Sequence, residues 1–134
     1  MSDSILRNKS KDFAKNIIYL CRELKLRKFE SAIINQLLRS GTSVGANIYE
    51  GKYAQGCKDL VSKFEIALKA LNESAYWIEL IFETNGITAE EAKKFKSDII
   101  NIRRMLVASV KQSKPNKQIR TKNETLIIFM RLQK

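Results

Sequence analysis

Histidine is missing altogether from the 134 residues, which removes the commonest general base and a principal zinc ligand. Proline occurs once, at Pro115, and glycine only five times. The long proline-free stretch before Pro115 favours long helices over a many-turned β fold. The two cysteines, Cys21 and Cys57, lack metal or redox spacing. The start, Met1 to Ile5, has no secretory character. The thiols are therefore expected to be reduced, and the protein cytoplasmic. No apolar run approaches the ~18 residues that span a bilayer, so no membrane insertion is expected. Acidic residues are also scarce. Fourteen Asp and Glu face 25 Lys and Arg, for a net charge of +11. That balance suits an anionic partner such as nucleic acid, an acidic protein or a membrane surface. A solvated basic surface with no specific ligand is the plain alternative. Over half of the excess lies at the C-terminal end. There Lys111, Lys114, Lys117, Arg120, Lys122, Arg131 and Lys134 face Glu124 alone.

What is present is apolar material in helical register. Hydrophobic residues make up 44%, a globular composition for one domain. Residues 1–9 read as a frayed lead-in. The first helix is predicted over about 10–28, with Ser10 as N-cap and Phe13, Ile17, Leu20 and Leu24 on one face. Cys21 lies beside that stripe and reads as a small buried hydrophobe. The second helix is predicted over 30–53. Its column of Ile34, Leu37, Gly41, Val44 and Ile48 alternates steps of three and four. Gly41 and Gly45 each cost about 1 kcal/mol relative to alanine inside a helix, so close approach of another helix is expected there. A parallel column of Ser40, Ser43, Asn47 and Glu50 forms a polar edge, expected to be half-buried and to need partners.

Lys52 to Gly56 form a connector. Gly51 to Lys58 superficially resembles a phosphate loop, but Gly56 is followed by Cys57 rather than Lys-Ser/Thr, and no strand precedes it. The third helix is predicted over 57–85. It carries Leu60, Phe64, Ala67, Leu71, Ser74, Ile78 and Ile81, flanked by a second column of Val61, Leu68, Ala75 and Phe82. So broad an apolar surface implies a central helix or a contact with another subunit. Tyr76 and Trp77 are of the type enriched at interfaces. Asn85-Gly86 marks a stop, and Thr88-Ala-Glu-Glu91 is a capping box. The fourth helix is predicted over 88–113, with Ala92, Phe95, Ile99, Ile102, Leu106 and Val110 in its stripe and Arg103 and Arg104 projecting from it. Residues 114–134 form a basic and then apolar tail. Together, four amphipathic helices over 1–113 make an all-α, up-down-up-down antiparallel four-helix bundle.

The run Arg39-Ser-Gly-Thr-Ser-Val-Gly-Ala-Asn47-Ile-Tyr-Glu50-Gly51, then Phe64 to Leu71, then Glu73-Ser-Ala-Tyr76-Trp77, resembles the bacterial 23S-rRNA-intervening-sequence protein family. The likeness covers about 10–113. It implies a compact four-helix bundle without catalytic activity. It also implies ring-like homopentamers in some members, and a related branch that binds nucleic acid beside the reverse transcriptase of diversity-generating retroelements. Its patterned positions are Arg39, Ser40, Thr42, Ser43, Gly45, Ala46, Asn47, Glu50, Gly51, Tyr76 and Trp77. Tyr49 stands where a small residue is expected.

The residues and the likeness together point to a non-enzymatic homo-oligomeric scaffold that binds RNA or DNA. Arg39, Arg103, Arg104, Lys114, Lys117, Arg120 and Lys122 are the candidate phosphate contacts. Tyr49, Tyr76 and Trp77 are the candidate subunit contacts. The alternative is a module that docks an acidic protein without nucleic acid. Catalysis is not expected. Glu50, Glu73, Ser40 and Ser43 have no histidine to work with, no Glu-x-x-His pair could seat a di-metal centre, and no cofactor is implied.

Overall fold

The computed structural model describes residues 2–113. They form α1 (Ser2–Leu26), α2 (Ser31–Gly51), α3 (Cys57–Glu83) and α4 (Ala89–Ser113). Each helix packs on two others, in the cycle α1–α2–α3–α4–α1, and the diagonal pairs do not approach. With short turns between consecutive helices, this is the antiparallel four-helix bundle that the periodicity predicts. Most of the predicted stripe residues form the core, while on α3 Leu60 and the second column of Val61, Leu68 and Ala75 are half-buried and Phe82 is exposed. Phe13, Ile17 and Leu24 of α1, Ile34, Leu37 and Val44 of α2, Leu71 and Ile78 of α3, and Ile99, Ile102 and Leu106 of α4 are all buried.

One boundary differs substantially from the sequence expectation. The first helix starts at Ser2, not at Ser10, so residues 2–9 are helical rather than a lead-in. Leu6 is fully buried and extends the α1 stripe by a further step. Ser10 is no cap. It is buried inside the helix, and its hydroxyl donates back to the Arg7 carbonyl at 3.0 Å. A serine occupying a core position is what made it look like a start signal. The other ends differ by one or two residues: α2 stops at Gly51 rather than Tyr53, and α3 at Glu83 rather than Asn85.

Two turns close one end of the bundle, and both use the same hydrogen-bond pattern. After α1, Lys28 takes a left-handed φ of 62°, with its N–H on the Lys25 carbonyl and the Phe29 N–H on the Leu24 carbonyl. After α3, Asn85 does likewise at φ 68°, with its N–H on Phe82 and the Gly86 N–H on Ile81. Both are Schellman stops. Phe29 packs so closely on Gly86 that a Cβ there would lie 2.6 Å from Phe29 Cε1. At the other end Gly56, with φ 95°, makes the turn into α3.

The capping box forms as its sequence implies. The Thr88 N–H donates to Glu91 Oε1 at 2.8 Å, and the Glu91 N–H donates to Thr88 Oγ1 at 3.1 Å. Arg27 spans to the same turn, donating to the Gly86 carbonyl at 2.7 Å and to Glu91 Oε2 at 3.2 Å. The bond from the Thr88 backbone, helped by Arg27, holds the Glu91 carboxyl below its ordinary range against partial burial. A carboxylate depressed in the folded state adds stability above its unfolded pKa, and that stability is lost as pH falls through the folded pKa. Partial exposure keeps the contribution under about 1 kcal/mol. Urea midpoints measured from neutral to acid pH should therefore fall on the acid side, and Glu91→Gln should flatten that fall. An acid limb unchanged in the variant would show that the clamp contributes nothing.

Candidate functional site

The residues nominated from sequence do not gather at one place. Arg39 is exposed on α2, its Nη2 donating to Gln36 Oε1 at 3.2 Å. Arg104 is exposed on α4, which does not touch α2. Arg103 is half-buried and committed within the fold. Its Nε and Nη2 both reach Asn72 Oδ1, at 3.1 and 2.8 Å, and tie α4 to α3. Lys114, Lys117, Arg120 and Lys122 lie outside the described residues.

The polar column of α2 divides rather than forming one half-buried edge. Ser40 is buried and meets Ser74 of α3, whose hydroxyl lies 3.0 Å from it. Ser40 in turn donates to the Leu37 carbonyl at 3.3 Å. Ser43 and Asn47 pair with each other, Asn47 Nδ2 donating to the Ser43 carbonyl at 2.9 Å and to its hydroxyl at 3.1 Å. Glu50 is exposed and accepts from Lys63 Nζ of α3 at 3.1 Å. Two of the four thus fasten α2 to α3. Ser74 has a second acceptor in the Ala70 carbonyl at 3.0 Å, so the two hydroxyls form a relay that can redirect when either is removed. Ser40→Ala and Ser74→Ala should each lower stability by about 1 kcal/mol or less. The double variant should lose less than the sum of the two, by about 0.5 kcal/mol or more. Strict additivity in urea titrations would dismiss the relay.

The glycines of the same segment serve α1. A Cβ on Gly41 would stand 2.8 Å from Ile17 Cγ1 and Cγ2, and one on Gly45 would stand 3.3 Å from the Ser10 carbonyl oxygen. This contact brings α1 and α2 together over buried small residues. On the outer side of the pair a groove of about 350 Å³ remains, bounded by Arg7, Lys11, Thr42, Ala46 and Tyr49. Tyr49 is exposed and set edge-to-face on Tyr53, ring centroids 5.5 Å apart. Lys52 Nζ lies 5.5 Å from the Tyr53 ring centroid. Tyr53 holds the Tyr49 phenol above its ordinary range, while Lys52 and Lys11 pull the other way. A second hollow of about 310 Å³ continues along the same seam, between Ile18, Arg22, Lys25 and Leu38. Cys21 borders it but is buried, its Sγ 3.7 Å from the Ile34 carbonyl. Burial pushes its thiol up to about 11, with Lys25 opposing. The sequence reading missed Arg7 and Lys11 as site residues. Carrying the α1 stripe back from Phe13 to Leu6 would have placed Arg7 on the helix beside Lys11.

The other aromatic pair lies across the bundle on α3. Tyr76 is exposed, Trp77 half-buried, their ring centroids 5.0 Å apart, and Trp77 Nε1 donates to Glu73 Oε2 at 3.2 Å. Ile66 and Phe82 are exposed on the same helix.

Fold and surface together define a small, basic, all-α bundle with cations ranged along its first helix. The chain belongs to the 23S rRNA-intervening sequence protein family, whose model matches residues 2–108. It is similar to a protein of unknown function from the S23 ribosomal protein family of Bacteroides thetaiotaomicron. That structure has 39% sequence identity and a TM-score of 0.80, the match covering 83% of this chain and 99% of the other. No curated protein matches the chain. Among the described residues no helix is long and apolar enough to cross a membrane.

Proposed function

We propose that this protein is a non-enzymatic bundle that binds nucleic acid through its phosphates, and that it acts as a homo-oligomeric scaffold in the cytoplasm. The observation that carries the reading is the row of α1 cations. Arg7, Lys11, Arg22 and Lys25 follow one another along the groove side, and within residues 4–113 none of them forms an ion pair with a carboxylate. Cations left in solvent on one face, without neutralising acids, are what a polyanion requires. The basic sequence beyond Ser113 adds to the same charge.

Self-association has its own support. Helix α3 is not central to the bundle, since it packs on α2 and α4 only. Its outward Ile66, Tyr76 and Phe82 are therefore left open in a single chain.

Both parts can be tested on the full chain. Filter binding to a structured RNA should be tight at low salt and should weaken steeply as salt rises. Absence of binding to RNA and to single-stranded DNA at low salt would end the nucleic-acid reading. It would favour an acidic protein partner instead, which a nuclease-insensitive pull-down would reveal. Absolute mass in solution should exceed that of one 15.4 kDa chain. A monomer would end the oligomeric reading.

A further inference from the structure

We infer that the α1–α2 groove takes an unpaired segment of RNA, a base stacking on the Tyr49–Tyr53 pair while Arg7, Lys11 and Lys52 hold the adjoining phosphates. The inference rests on the nucleic-acid reading above and names its site. Three observations meet here. First, within residues 4–113 none of the residues that bound the groove is acidic, and two of them are cations. Second, the groove runs out onto two exposed tyrosines, 57% and 63% accessible, which the core does not need. Their rings stand edge to face, with planes 62° apart. Third, Lys52 Nζ stands over the Tyr53 ring, so a cation belongs to the aromatic pair itself, with the Tyr49 ring next to it.

This is the composition of a single-strand site, aromatic platforms beside a positive track. Its chemistry separates it from a duplex site. Bases in a duplex are already stacked and offer no free face, whereas loops and single strands can lay a base on an aromatic ring. Thr42, Gly45 and Ala46, all small, line the groove on its α2 side. Asn8, exposed in the same groove, carries an amide that both donates and accepts, as contact with a ribose 2′-hydroxyl requires. A second copy of this chain is a poorer fit. The occupant must neutralise Arg7, Lys11 and Lys52 at once, which a strand of phosphates does along its whole length.

The test is fluorescence anisotropy with the full chain and a labelled uridine octamer. The same octamer in a duplex and its deoxy counterpart serve as comparators. Wild type should prefer the single-stranded RNA to both. Tyr49→Ala with Tyr53→Ala should weaken that binding about tenfold or more. Tyr49→Phe, which keeps the ring, should bind as wild type does. Arg7→Gln and Lys11→Gln should each flatten the salt dependence, by about 0.7 in the log–log slope per lost phosphate contact. Both tyrosines are exposed, so their loss should leave the thermal midpoint in place, and circular dichroism checks this. Undiminished binding by the double tyrosine variant, alongside weakened binding by Arg104→Gln, would overturn the groove assignment while leaving nucleic-acid binding intact. Equal affinity for duplex, or tighter binding of the deoxy strand, would overturn the unpaired-RNA assignment. A fall in solution mass on Tyr49→Ala without RNA would overturn it too, marking the groove as a contact between copies. Failure of wild type to bind any of the three strands would end the general reading together with this one.

Discussion

A Phe13→Ala variant should unfold with about 3 kcal/mol less free energy than the parent chain, towards the low end of the range for buried phenylalanine. Phe13 is 1% exposed and meets Phe95 of α4 edge-on, with ring centroids 6.4 Å apart. The pair joins the first helix to the last, across the most thinly populated of the four helix seams. A cleft of about 210 Å³ already lies against that seam, lined by Phe13 with Lys9, Asp12, Lys94, Asp98 and their neighbours. Removing the ring would merge the new space with this polar cleft and let water in, which softens the loss relative to a sealed cavity. In a domain of this size the melting temperature should drop by roughly 10 °C or more. A loss below about 1 kcal/mol would mean that the seam is held elsewhere.

Gly41→Ala should be destabilising by about 1–3 kcal/mol, even though alanine is the better helix former by about 1 kcal/mol. The new methyl would stand 2.8 Å from two γ carbons of Ile17 and 3.1 Å from its Cβ. Those atoms belong to a fully buried, β-branched side chain with little freedom to turn aside. The helices must part, or Ile17 must leave its rotamer. The decisive measurement is the double variant Gly41→Ala with Ile17→Ala. It should lose less than the two single losses combined, because the second change empties the space the first one needs. If Gly41→Ala alone raised the denaturation midpoint, the close α1–α2 contact would be refuted.

Both variants bear on what a sequence can disclose. The apolar columns of α2, α3 and α4 were legible because each alternates steps of three and four and each faces the core without interruption. Thr88 and Glu91 were legible because a capping box is local chemistry. Ser10 misled for the opposite reason. Its side chain is equally suited to starting a helix and to sitting under Gly45, and only the position of α2 decides between them. The polar column of α2 was misread geometrically. Ten residues at 100° each leave Glu50 about 80° around the helix from Ser40, so one end of the column turns into the core while the other reaches solvent. The groove of α1 and α2 was not legible at all. It is made by two helices whose adjacency depends on the tertiary packing, and one of its cations lay in a segment that reads as a lead-in.

The cyclic order of the helices has a practical consequence. Because their number is even, Ser2 and Ser113 leave from the same pole of the bundle, the pole where Tyr49 and the turn at Gly56 also stand. At the opposite pole stand the two Schellman turns, the capping box and the Arg27 clamp. A tether attached at Ser2 or at Ser113 would therefore crowd the tyrosine pole and leave the far one clear. A tether meant to spare the groove belongs on the far pole, at an exposed turn residue such as Lys28.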